Sequence, residues 1–160
     1  MAKESVARLL SRYLPLVAWL VFISYASSDS FSAENTSRII GPLVLWLFPR
    51  TSPETLAVIH FVVRKIAHFT EYAILAYLAA RAFRTSPRPA LANRWFLIAL
   101  TIVVVYALID EYHQSYVPSR TASIFDSLID MSGGLVMLLI LHYRHKNRAR
   151  RFKHSRSLSV

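Results

Sequence analysis

From Trp95 to Ile109 no residue carries a charge, and the next five are Asp110, Glu111, Tyr112, His113 and Gln114. A run of that length and hydropathy prefers lipid to water. In lipid the backbone must satisfy its own hydrogen bonds, which restricts the segment to a helix. Two carboxylates, an imidazole and an amide then stand where an apolar segment meets water. Ionisable groups at membrane depth are costly unless paired or hydrated, so they are candidates for function.

The other apolar residues also fall in long blocks rather than in short amphipathic windows, which points to the bilayer as solvent. A length of 160 residues allows one domain. The chain has no cysteine, which excludes disulfides, thiolate metal sites and cysteine nucleophiles.

A net charge of +10 invites a nucleic-acid reading, but the distribution of the charge opposes it. Most Lys and Arg residues lie in segments 1–12, 81–94 and 144–160, which contain a single acid, Glu4. Between them stand only Arg38, Arg50, Arg64, Lys65 and Arg120, along with every other acid. Basic residues confined to alternate loops are the positive-inside signature of a multi-pass membrane protein. The basic tail 144–160 is expected to lie on anionic lipid headgroups, and no nucleic-acid partner is expected.

The expected fold is an all-α integral membrane protein, a four-helix transmembrane bundle. Its spans are placed at about 9–26, 58–83, 94–112 and 124–143, giving a transmembrane domain over 1–143. Helix one begins with basic residues and ends in Ser24-Tyr25-Ala26, which also describes a cleavable signal peptide. Retention is favoured because both basic ends fall on one side only with an even number of crossings. Ile39 to Phe48 is too short to cross about 30 Å of hydrocarbon at about 1.5 Å per residue, so it is expected as an interfacial or re-entrant helix. Helix two is expected from Pro53 to Arg84, helix three from about Asn93 to Gln114, and helix four from near Ser123 to His142. Both termini are expected in the cytoplasm of a bacterial inner membrane.

Polar residues interrupt these spans at related heights. Arg64, His68 and Glu71 share one face of helix two, with Lys65 one step round. Asp110 and His113 are expected to share a face of helix three. Asp126 and Asp130 lie four apart on helix four, just before Gly133-Gly134, where a neighbouring backbone can approach closely. Topology brings these groups to the outer end of the bundle. The candidate ligand-binding set is Arg64, Lys65, His68, Glu71, Asp110, Glu111, His113, Gln114, Arg120 and Asp126, with Asp130 nearby. The candidate catalytic groups are His68, Glu71, Asp110 and His113. Structural readings compete with these: Arg64 and Lys65 as ion pairs within the bundle, His68 as a hydrogen-bonded core residue, and one of the two aspartates as a water-exposed first-turn residue.

The order Lys65-x-x-His68-Phe69-x-Glu71-Tyr72-Ala73, then Asp110-Glu111-x-His113-Gln114-x-x-Val117-Pro118-x-Arg120-x-x-Ser123-x-x-Asp126, closely resembles the VanZ-like family. The resemblance runs over about residues 14 to 141. Ser119 departs from it where the family usually has glycine, and Asp130 where it often has asparagine. The family comprises small bacterial membrane proteins. Its namesake confers low-level resistance to teicoplanin, a glycopeptide acting on cell-wall precursors at the outer membrane surface. The resemblance therefore implies a place and a phenotype rather than a reaction.

Three functions follow as expectations. In the first, the outward cleft binds a lipid-linked, peptide or glycopeptide ligand, with Arg64, Lys65 and Arg120 on an anionic headgroup or diphosphate. In the second, the chain is a membrane-embedded hydrolase or transferase acting on envelope lipids. Its His68-x-x-Glu71 and Asp110-x-x-His113 spacings would then hold an activating metal, or a histidine would act as general base. The third is a small transporter, which four short spans could form only as an oligomer. Binding is the favoured expectation.

Overall fold

The computed structural model describes residues 5–27, 33–116 and 123–157, with side chains from 5–27, 37–38, 40–116 and 123–148. Among the described residues all regular structure is helical: α1 (Val6–Ala26), α2 (Ala33–Leu47), α3 (Pro53–Arg84), α4 (Pro89–Asn93), α5 (Trp95–Gln114) and α6 (Ile124–Ser157).

Local chemistry sets the ends. Ser52 caps α3 by accepting the Thr55 N–H at 3.3 Å, and Pro53 follows where a missing N–H does no harm. Glu54 in the first turn and Arg81 and Arg84 in the last complement the helix dipole. A hydrogen bond from Ser52 holds the Glu54 carboxyl below its ordinary value. Pro15 inside α1 leaves the Ser11 carbonyl without its usual partner, and Arg81 Nη2 donates to that carbonyl at 3.4 Å.

The central element is α3, which packs on α6 most extensively, then on α5 and α1. Its buried face is small apart from His68, Tyr72 and Leu75: Ala76, Ala79, Ala80 and Ala82 have no exposed surface. Small residues let helix backbones come close, which is the main source of packing energy where lipid removes the hydrophobic drive. Opposite them lie Ala99, Val103 and Ala107 of α5 and Leu138 of α6, all fully buried. The closest approach is at the α6 glycines. A Cβ on Gly133 would stand 2.2 Å from the Phe69 carbonyl oxygen, and one on Gly134 would stand 2.5 Å from Val103 Cγ1. α1 is tied on at one side. Trp19 Nε1 donates to the Glu71 carbonyl at 3.0 Å, and the Tyr106 hydroxyl donates to the Leu20 carbonyl at 2.5 Å.

The outside of the bundle is apolar. Val17, Val21, Leu97, Ile109, Leu128 and Leu139 are each at least half exposed, a surface suited to lipid chains. Among the described residues, three helices are long and apolar enough to cross a membrane: α1, α5 and residues 124–148 of α6. α3 is longer, but Arg64, Lys65 and Glu71 interrupt it, so composition does not place it among them.

Several boundaries differ from expectation. The short apolar segment belongs to a longer helix, α2, that begins at Ala33. The basic loop after α3 folds its Pro89–Asn93 stretch into one helical turn, α4. α6 does not stop at His142 but continues through the basic tail to Ser157. Arg and Lys are good helix formers, and their charge favours a helix C-terminus.

Candidate functional site

Three helices contribute to one polar cluster. On α3, Lys65 forms an ion pair with Asp126 of α6. One turn further, His68 Nδ1 lies 3.3 Å from Asp130 Oδ1 of α6. Arg64 and Glu71, both half-buried, flank His68 closely enough to act on its charge. On α5, Asp110 is buried, and its Oδ2 accepts a hydrogen bond from Gln114 Nε2 at 3.0 Å. Glu111, one residue on, accepts the Ser123 N–H and so pins the start of α6. Ser123 in turn caps α6 through Oγ, which accepts the Phe125 N–H at 3.3 Å.

Register and close packing explain the convergence. Positions 126 and 130, and likewise 110 and 114, are successive points on one helix face. Gly133, three residues beyond Asp130, seats α6 on the backbone of Phe69, the residue after His68. A bulkier residue there would hold Asp130 away from the histidine.

The cluster is buried but not internally satisfied. His68 and Asp130 are 8% and 1% exposed, and their facing atoms are within ion-pair distance without hydrogen-bonding geometry. Both atoms lack a hydrogen-bond partner among the described residues, as do Tyr72 Oη and Arg64 Nε. Buried polar atoms are nearly always paired, and leaving one unpaired costs roughly 1–3 kcal/mol. Four together mark a place where the described residues do not complete the chemistry. One ligand atom each from His68, Asp110 and Asp130 lies within 4.8 Å of the other two. The Tyr72 hydroxyl is within electrostatic range of both aspartates.

The arrangement differs from the expected one in three respects. His113 is exposed and does not enter the cluster. Asp110 shares its face with Gln114, four residues on, rather than with His113, three residues on. Asp126 and Asp130 are both buried, so neither is a water-exposed first-turn residue. Arg120 lies outside the described residues. Tyr72 was not among the candidate site residues, although it stands four residues beyond His68, a spacing that marks the same face.

A family model described as VanZ/LLP1 matches residues 12–145. The chain belongs to the VanZ/LLP1 family. The match covers every described residue of the cluster, from Arg64 to Asp130. No curated protein and no solved structure matches the chain. Family membership and the apolar helices together make it a membrane protein. Within this VanZ/LLP1 chain, the cluster is the one set of three carboxylate or imidazole groups among the described residues close enough to share an ion.

Proposed function

We propose that this VanZ/LLP1 protein is a four-span protein of the bacterial inner membrane, with both termini in the cytoplasm. Its α3–α5–α6 cluster binds the anionic headgroup of an envelope lipid or lipid-linked cell-wall precursor from the outer side. The observation that carries this is the set of buried donors without a hydrogen-bond partner among the described residues: Arg64 Nε, His68 Nδ1 and the Tyr72 hydroxyl. Apolar helices surround that set, and a bilayer offers it no compensation of its own.

Charge supports the orientation. Arg84 lies over the Trp95 ring at 6.0 Å, and Trp95 is 6.4 Å from His142, so the basic ends of α3, α5 and α6 gather at one end of the bundle. Asp130 is twelve residues from His142, about 18 Å along the helix. Asp110 is fifteen residues from Trp95, about 22 Å. In a core of about 30 Å the cluster therefore stands in the half opposite the basic end. α3 serves as the fourth span, its charges facing the bundle. Lys65 is committed to Asp126, which leaves Arg64 as the cation for a phosphate. Altered handling of such a precursor is how a member of this family would confer teicoplanin resistance.

The test is titration of the purified full-length protein in detergent with undecaprenyl diphosphate, phosphatidylglycerol and teicoplanin. Saturable binding of the diphosphate lipid is expected, weakened at least about tenfold in Arg64→Gln, the equivalent of roughly 1.4 kcal/mol for one charged contact. Folded protein that binds none of the three saturably would sink the reading. A teicoplanin-sensitive host expressing the chain then shows whether the phenotype transfers.

A further inference from the structure

We propose that His68, Asp110 and Asp130 form a divalent-cation site. This goes beyond the headgroup reading, because an ion can be held there with no lipid bound. The three residues come from α3, α5 and α6, so the site exists only when the bundle is folded. All three are buried, and one ligand atom from each lies within 4.8 Å of the others.

The spacing suits a small ion. Two ligands of a tetrahedral ion with bonds of about 2.0–2.1 Å stand about 3.3 Å apart, and two trans ligands of an octahedral ion about 4.2 Å. His68 Nδ1 and Asp130 Oδ1 are 3.3 Å apart. No pair of the three ligand atoms is more than 4.8 Å apart.

Two further observations point the same way. A histidinium–carboxylate pair would normally close a hydrogen bond. Here both facing atoms are buried at ion-pair distance and neither has a hydrogen-bond partner among the described residues. A shared ion would satisfy both atoms at that separation. Asp110, in turn, is oriented by Gln114, whose amide holds Oδ2 at 3.0 Å and leaves the other oxygen for coordination. Such outer contacts are the usual support of a metal-binding carboxylate.

One imidazole and two carboxylates match ions such as Mn²⁺, Fe²⁺ or Zn²⁺ better than Mg²⁺, which prefers oxygen ligands and keeps its waters. The ion also supplies the positive charge that two buried aspartates require, since the nearby Lys65 is paired to Asp126. Three protein ligands leave a position open for water or a phosphate oxygen.

The experiment uses full-length protein carrying a tag without histidine, stripped with EDTA in detergent and titrated calorimetrically with Mn²⁺, Zn²⁺ and Mg²⁺. No phospholipid is added. One saturable site is expected, tighter for Mn²⁺ or Zn²⁺ than for Mg²⁺. His68→Gln, Asp110→Asn and Asp130→Asn should each weaken it at least about tenfold. The His142→Ala/His145→Ala double variant, which removes two exposed histidines of α6, should leave it unchanged. Because a ligand variant can misfold, the parent's own Co²⁺ spectrum is the second measurement. A visible spectrum distinct from that of free aqueous Co²⁺ supports the site. Helical parent protein that binds no ion, or binding that follows His142 and His145, overturns the proposal. Ion binding without headgroup binding would remove the headgroup reading alone, and the converse would remove only the ion.

Discussion

Gly133 offers the sharpest test of how the bundle builds its polar cluster. In Gly133→Ala the new Cβ would meet the Phe69 carbonyl oxygen at 2.2 Å, whereas real Cβ contacts almost never fall below 3.0 Å. The opposing atom is backbone, so no side chain can rotate away. α6 must therefore retreat from α3 by most of an ångström. His68 and Asp130, now 3.3 Å apart, would then separate to about the outer limit of an ion pair. Overpacking of this kind typically costs about 1–3 kcal/mol. The expected outcome is that loss of stability in reversible unfolding of the reconstituted protein, with cation affinity at His68 and Asp130 falling alongside it. Gly134→Ala should behave differently, because its Cβ meets the Val103 side chain at 2.5 Å. Adding Val103→Ala should restore much of that loss, while no side-chain change should rescue Gly133→Ala. Gly41→Ala is the control, its nearest neighbour being His60 at 3.9 Å. A Gly133→Ala protein with parental stability and parental cation affinity would refute the close-packing account.

The remaining predictions concern pairing, anchoring and orientation. Lys65→Met strands Asp126 in a buried position. It should destabilise toward the lower end of roughly 3–5 kcal/mol, since the lysine is partly exposed, and Lys65→Met/Asp126→Leu should recover most of the loss in the same unfolding assay. Tyr106→Phe deletes the hydroxyl that bonds both the Leu20 carbonyl and the Ser24 hydroxyl and should lower stability by about 0.5–1.5 kcal/mol per bond, without changing ion or lipid binding. The native chain has no cysteine, so single-cysteine variants report orientation directly. A membrane-impermeant maleimide applied to intact cells should label Thr51→Cys and leave Ser86→Cys untouched, and the opposite pattern would invert the proposed topology.

The helices were largely legible in the sequence, because apolar run length and the residues at the ends act locally. Ser52-Pro53 opens α3, and the charge-free run from Trp95 becomes α5, with Gln114 its last residue. The family was legible too, from the ordered motifs around Lys65, His68, Asp110 and His113, and the match over 12–145 agrees. The continuation of α6 past His142 was not, because a basic segment reads equally well as a tail on a lipid surface or as helix.

Which polar residues meet was settled only by tertiary structure. Periodicity assigns a face to each residue but not the rotation of one helix against the next. Asp110 and His113 differ by sixty degrees around α5, enough to bury the first and expose the second once α3 and α6 take their places. Asp130 became a partner of His68 because Gly133 lets two backbones approach to a distance that no other residue would permit. Hydropathy and charge are properties of residues, so that this chain enters lipid as helices and carries charge into them was legible without the fold. Only the fold decided that the charges share one buried site, because proximity depends on how three helices pack.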